Sequence, residues 1–200
     1  WSLDLVKLKE MCDIPTSGSV QITSDCYLYS QIVVTGKLNV TGIPDAQGNL
    51  PKIIGGGSNR LFKVESGGEL VVKYLNLTGG VASGSGNNGK GGAIYSDEGN
   101  LEIVHSCVTN NIAEKGGGVY QYTGALNVSN STFSNNIATI HGGGVAIQDG
   151  ASLMLHSVKI YSNVANSNPW PNGGGGIYAG NTDICNISHS QLNNNNANWG

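Results

Sequence analysis

Charged residues are scarce in this 200-residue chain, in which Lys and Arg total 10 and Asp and Glu total 13. The basic residues are scattered, so the sequence lacks the clustered positive charge that binding to a phosphate backbone needs. No apolar run approaches the roughly 20 residues that span a bilayer as a helix. We therefore expect no nucleic-acid partner and no direct insertion into a membrane.

Patterns that would indicate catalysis are also missing. Arg60 is the only arginine, and no His or Cys spacing matches a zinc site. Asp97 and Asp149 fall at equivalent places in the repeat described below, but two turns of it apart. Paired glycosidase carboxylates need a separation of roughly 5 to 9.5 Å, which calls for the same turn or adjacent turns. The sequence thus predicts no catalytic residue, no metal ligand and no cofactor.

Glycine, by contrast, is abundant, with 31 residues set among regularly spaced apolar positions. Similar strings recur every 25 to 32 residues, as in LEIVHSCVTNNIA from Leu101 and LNVSNSTFSNNIA from Leu126. The anchor residues that open these strings are Leu38, Leu70, Leu101, Leu126, Leu153 and Cys185. A Gly-Gly pair followed by apolar residues returns later in the unit, starting at Gly91, Gly116, Gly142 and Gly174. The chain is therefore a repeat protein.

Within each unit, apolar residues lie at the anchor and two, five and seven places after it. Steps of two are typical of strands with one buried face, and the step of three indicates a bend between two short strands. The Gly-Gly string begins a third strand. Three short strands per unit predict an all-β fold, namely a right-handed parallel β-helix. This three-sided solenoid would have about six coils, each buried by its neighbours.

We expect the solenoid to occupy residues 18–200 and to continue past residue 200. Residues 1–17 are predicted to be an N-terminal cap helix and a linker. The apolar residues of this segment fall on one face of an amphipathic helix, at Trp1, Leu5, Leu8 and Cys12. Such a helix would cover the unpaired strand edges at one end of the solenoid.

Small and polar residues recur in columns that have structural interpretations. Four asparagines fall at one corner of the repeat: Asn111, Asn136, Asn163 and Asn195. Stacked amides there can hydrogen-bond along the column, so we predict a structural asparagine ladder. Alanines two residues later leave room for the chain to turn inward. The Gly pairs permit positive φ or close backbone approach at the next corner.

The four cysteines indicate an oxidising compartment. Cys12 and Cys26 are close in sequence and straddle the cap and the first coil, so we predict a disulfide between them. Cys185 replaces an inward leucine and is expected to be buried. Cys107 lies three coils away from Cys185, too far for a disulfide, and its column points outward. We expect Cys107 to be an exposed thiol or a link to another chain.

Five sequons of the form N-x-[S/T] predict N-glycosylation. They begin at Asn39, Asn76, Asn127, Asn130 and Asn186. Three of them directly follow an anchor, at a place that alternates outward. Insertions at residues 79–90 and 166–173, and the segment 42–52, form candidate binding loops. Trp170, between two prolines, is a candidate contact for a ligand or partner.

The repeat strings resemble those of the chlamydial polymorphic outer membrane proteins, which carry GGA[ILV] and FxxN motifs. Here the motifs read Gly91-Gly92-Ala93-Ile94 and Phe133-Ser134-Asn135-Asn136. The other copies are degenerate, and the resemblance covers residues 70–197. It implies a fold of the pectin-lyase-like β-helix superfamily and a surface-displayed passenger that serves in adhesion.

Together these features predict a non-catalytic, secreted or cell-surface module of a wall, surface or filament glycoprotein, structural or adhesive in role. Its expected partners are other extracellular proteins, further copies of itself, and glycans. The alternative is a carbohydrate-binding or polysaccharide-active β-helix whose key residues lie outside this sequence. Ice binding is a third hypothesis, but the outward columns lack a regular Thr-x-Thr array.

Overall fold

A computed structural model describes residues 10–166 and 173–197 of the chain. The described residues form an all-β structure of short strands, joined into four parallel sheets. Their one helical element is the 3-10 turn Gly86–Gly89. Each strand pairs with the equivalent strand of the next repeat, an arrangement compatible with the predicted β-helix.

The two longest sheets contain the strands that follow each anchor residue. Sheet 1 has seven strands: Gly18–Ile22, Lys37–Gly42, Glu69–Lys73, Asn100–Val104, Ala125–Ser129, Ser152–His156 and Ile184–Ser188. Sheet 2 also has seven: Cys26–Leu28, Lys52–Gly55, Asn76–Thr78, Cys107–Thr109, Thr132–Ser134, Lys159–Tyr161 and Gln191–Asn193. A bend of two or three residues joins the two sheets in most turns, which agrees with the odd step of three in the sequence.

Two further sheets complete each turn. Sheet 3 has four strands: Ile112–Lys115, Ile137–His141, Val164–Ala165 and Asn196–Ala197. Sheet 4 has six: Ile32–Val34, Phe62–Val64, Ile94–Ser96, Val119–Gln121, Val145–Gln148 and Ile177–Gly180. Sheet 4 contains the strands that follow the Gly-Gly strings. The sequence predicts three strands per unit, and sheet 3 provides a fourth strand that was not predicted.

The anchor residues lie in one register column of sheet 1. Successive pairs run from Leu38 through Leu70, Leu101, Leu126 and Leu153 to Cys185. The five leucines are buried in a single core cluster with inward residues of sheets 2 and 4. Cys185, in contrast, is exposed, so the prediction of a buried Cys185 is wrong. It lies in the last strand of sheet 1, and no further described turn covers it.

The asparagine column forms a continuous ladder. The amide Nδ2 of Asn111 donates to Oδ1 of Asn136 at 3.0 Å. Asn136 donates in the same way to Asn163, and Asn163 to Asn195, both at 2.9 Å. Each Oδ1 in these pairs also accepts the backbone N–H of the preceding asparagine. The ladder satisfies the polar backbone of a buried corner.

Glycine is required at the corner before sheet 4. The first residue of each pair has φ between 54° and 70°, at Gly91, Gly116, Gly142 and Gly174. The second residue lies against the backbone of the next turn, since a Cβ on Gly143 would be 2.6 Å from the carbonyl oxygen of Val164. Both expectations for these pairs, positive φ and close approach, are met.

The bend between sheets 1 and 2 carries a pattern that the sequence analysis missed. One residue per turn has φ between 48° and 55°, at Tyr74, His105, Asn130, Ser157 and His189. A serine follows in three of these turns, and its hydroxyl accepts a backbone N–H from the preceding turn, as Ser131 does from Ser106 at 3.0 Å. The serines therefore connect turns at this bend as the asparagines do at the next one.

The N-terminal segment differs from the predicted helix in its described part. Residues 1–9 lie outside the described residues. Met11 is extended and forms a parallel bridge with Tyr27. The backbone of this segment thus pairs with the first strand of sheet 2. Cys12 and Cys26 form a disulfide across this pairing, with a Cα–Cα distance of 4.9 Å.

Candidate functional site

Three of the five sequons lie in one column on the outer face of sheet 1. One register column contains Asn39, Val71, Glu102, Asn127, Met154 and Asn186. The next outward column contains Ser129, His156 and Ser188 in neighbouring strands. Side chains two residues apart on a strand point to the same face. The sequons at Asn127 and Asn186 therefore each place both their asparagine and their serine on this face.

A groove of about 320 Å³ lies on this face between those two sequons. Its lining residues are Glu102, Asn127, Val128, Ser129, Met154, Leu155, His156, Asn186 and Ser188. Met154 is 48% exposed and provides an apolar spot among amides and hydroxyls. His156 Nδ1 lies 3.1 Å from Ser188 Oγ, which holds the imidazole along one side. The groove suits a small polar ligand that also has an apolar face.

The other three sequons lie outside the groove and differ in environment. Asn39 is in the same column but its Nδ2 donates to Ser19 Oγ at 3.3 Å. Asn76 lies on sheet 2, where its Oδ1 accepts a hydrogen bond from Thr109 Oγ1 at 2.9 Å. Asn130 is exposed at the bend after sheet 1, with φ 49°. The structure thus spreads the five predicted sites over two sheets and one bend.

The two remaining cysteines are both free thiols. Cys107 pairs in register with Asn76 and Thr132 on sheet 2, as its predicted column requires. The thiol is half-buried, and burial raises its pKa. A raised pKa lowers the thiolate fraction, which is the reactive form. A link from Cys107 to another chain stays a prediction.

A tyrosine cluster on the outer side of sheet 4 was not predicted. Tyr95 and Tyr120 are 0% and 1% exposed, although strand alternation places them outside the core. Lys90 covers them, with its Nζ 4.8 Å from the Tyr120 ring centroid and 5.0 Å from that of Tyr122. The signal was present in the sequence, since a tyrosine follows the strings GGAI, GGGV and GGGI at positions 95, 120 and 178.

The loop that carries Lys90 is fastened over this cluster by Arg60. The guanidinium of Arg60 donates to the backbone carbonyls of Asn87 and Asn88 at 2.8 and 2.7 Å. Under the loop, the Tyr95 hydroxyl donates to Asp97 at 2.6 Å. Burial and this bond raise the pKa of Tyr95. This hydrogen bond ties Asp97 to the covered tyrosine cluster.

His141 closes the other side of the cluster. Its ring stacks on Tyr178 with 4.0 Å between centroids, and neither ring nitrogen has a hydrogen-bond partner within the described chain. Burial, together with the nearby charge of Lys115, lowers the pKa of His141 to about 4. The ring is therefore neutral at physiological pH and packs as a hydrophobic group.

Trp170, the predicted ligand or partner contact, lies outside the described residues. Within residues 10–166 and 173–197, no group of three or more His, Cys, Asp or Glu side chains could hold a metal ion. In the same residues, no helix has the length and hydrophobicity required to cross a bilayer. Among the predicted sites in the described residues, Asn127 and Asn186 are the two that line one groove.

Comparison of the chain with protein-family models, curated proteins and solved structures found no match. The resemblance to the chlamydial repeats accordingly stays a prediction from the motifs.

Proposed function

We propose that this chain is a module of an extracellular glycoprotein, a right-handed parallel β-helix with a structural or adhesive role and no catalytic activity of its own. It belongs to a wall, cell surface or filament. The observation that carries the proposal is the asparagine ladder, which runs unbroken through four turns. Hydrogen bonds from each buried asparagine to the next turn suit a rigid support that is built by stacking repeats.

The right hand of the coil rests on a general rule. Connections between parallel strands of one sheet are right-handed in about 98% of cases. Every turn here returns to sheet 1 as a parallel neighbour of the previous turn, from Gly18–Ile22 to Ile184–Ser188. The rule therefore supports a right-handed β-helix.

Two features support an extracellular location. The Cys12–Cys26 disulfide is typical of secreted proteins, since cytosolic thiols are kept reduced. The five sequons are compatible with a secretory route. Partners would be other extracellular proteins, further copies of the chain, and glycans.

Antibody labelling of intact and permeabilised cells of the source organism tests the location and role. We expect equal labelling of both preparations, and detachment or weakened cell walls when the gene is deleted. Labelling that appears only after permeabilisation would contradict the proposal.

The alternative, a carbohydrate-binding or polysaccharide-active β-helix, is favoured by one observation. The groove on sheet 1 combines amides, hydroxyls and one carboxylate, that of Glu102. Incubating the purified chain with a panel of pectic, cellulosic and chitinous polysaccharides tests it. Saturable binding abolished by Glu102→Gln, or release of reducing ends, would favour the alternative.

A further inference from the structure

We propose that Asn186 carries an N-linked glycan whose first N-acetylglucosamine lies in the sheet 1 groove, over Met154. This inference rests on the proposed extracellular function, because the glycan is added in the secretory pathway. In the transfer, Nδ2 of Asn186 loses a proton and bonds to the anomeric carbon of an oligosaccharide carried on a lipid diphosphate. The bond from that carbon to the diphosphate oxygen breaks, and the lipid diphosphate leaves.

The groove is bounded by two sequons that lie flat on the strands. Asn186 and Ser188 flank it on one side, in the strand Ile184–Ser188, and Asn127 and Ser129 on the other. The strand between them presents Met154 to the groove. Two strand spacings separate the asparagines, about 10 Å. One sugar ring with its acetamido group spans that distance.

Asn186 is the acceptor because the two asparagines differ in exposure. Asn186 is exposed, so a bulky substituent on its Nδ2 has space. Asn127 is half-buried, and its Oδ1 is fully buried without a hydrogen-bond partner in the described chain. A bulky substituent on the Nδ2 of Asn127 would therefore have less space than one on Asn186.

Met154 gives the groove its preference for this sugar. Its side chain is 48% exposed in a groove that also contains two amides, two serine hydroxyls, one carboxylate and one imidazole. The acetamido methyl group and the apolar face of the pyranose ring can cover the thioether, while the hydroxyls face His156 and the serines. Covering the thioether removes apolar surface from water.

Oxidation of methionine provides the test, because the chain has two methionines. Met11, which is 66% exposed, is the internal control for Met154. The chain is secreted from eukaryotic cells, and half is treated with peptide-N-glycosidase under native conditions. Both halves are exposed to dilute peroxide, and sulfoxide formation at each methionine is followed by peptide mass spectrometry.

We expect a glycan on Asn186, several-fold slower oxidation of Met154 in the glycosylated half, and equal oxidation of Met11 in both halves. Ser188→Ala, which destroys the sequon, should abolish the protection, and Ser188→Thr, which preserves it, should not. Asn130→Gln should leave the protection unchanged because Asn130 lies on the bend outside the groove.

The failures of the two proposals are distinguishable. Occupied Asn186 with no protection of Met154, or a glycan on Asn127 in place of Asn186, would overturn this inference and leave the proposed function intact. A secreted chain with no glycan on any of the five sequons would overturn both the inference and the glycoprotein assignment.

Discussion

Replacing Asn136 by alanine removes the centre of the asparagine ladder. The side chain makes four hydrogen bonds in a fully buried site. Its Nδ2 donates to the carbonyl of Val108 and to Asn163 Oδ1, each at 2.9 Å. Its Oδ1 accepts the backbone N–H and the Nδ2 of Asn111, at 3.1 and 3.0 Å. At about 1 kcal/mol for each lost bond, the free energy of unfolding should fall by about 4 kcal/mol.

Urea unfolding followed by far-ultraviolet circular dichroism measures this loss. Hydrogen exchange gives a local readout, because the backbone amide of Asn111 loses its acceptor and should exchange faster in the variant. Asn135→Gly is the matched control, since Asn135 is exposed with φ 56°, a conformation that glycine adopts without strain. It should change stability by at most about 0.5 kcal/mol. A loss under about 1 kcal/mol for Asn136→Ala, or equal losses for both variants, would show that the ladder does not stabilise the fold.

Three further predictions concern other parts of the fold. Gly143→Ala should lower the free energy of unfolding by about 3 kcal/mol in urea, because the new Cβ would overlap the backbone of Gly175 in the next turn. Reduction of the Cys12–Cys26 disulfide, which closes a loop with a sequence separation of 14, should cost about 3 kcal/mol and lower the urea midpoint. His141 should weaken the fold as pH falls from its ordinary pKa of 6.5 towards about 4, because the unfolded chain binds the proton more tightly there.

Each of these predictions has a control. Gly36→Ala should be tolerated, since its nearest contact to a new Cβ would be 3.6 Å and its φ is not positive. Reductant should have no effect on a chain in which both Cys12 and Cys26 are replaced by serine. His141→Gln should flatten the pH dependence of stability between pH 6.5 and 4. Unchanged stability of Gly143→Ala, an unmoved midpoint after reduction, or a pH slope that persists without His141 would contradict the respective prediction.

The repeat register could be predicted because identical residue types recur at each corner. The leucine anchors and the asparagine ladder depend on one position per turn, so aligning the strings also aligns the strands. The Gly-Gly corner was predictable for the same reason: glycine has few other uses at a fixed place in a repeat.

The features that were missed depend on contacts between distant segments. Tyr95 lies on the outer side of sheet 4, but Lys90 and the loop fastened by Arg60 cover it. The positive-φ position in the bend between sheets 1 and 2 is a tyrosine at Tyr74 and a serine at Ser157. No single residue type therefore indicates this conformation in the sequence. Cys185 was expected to be buried but is exposed. A position in the repeat predicts burial only where a following turn packs over it.

The groove on sheet 1 was predictable in part. Alternation places Asn127 and Asn186 on the outer face, and their register follows from the anchors. The depression between them depends on how far Met154 and its neighbours project, and strand periodicity carries no information on that.

Peptide mapping of the protein isolated from its native source, for glycans and disulfides together, tests whether the chain is an extracellular glycoprotein. We expect a Cys12–Cys26 bond, no bond between Cys107 and Cys185, and glycan on Asn186 among the five sequons. Four free thiols and five unmodified asparagines would contradict an extracellular glycoprotein.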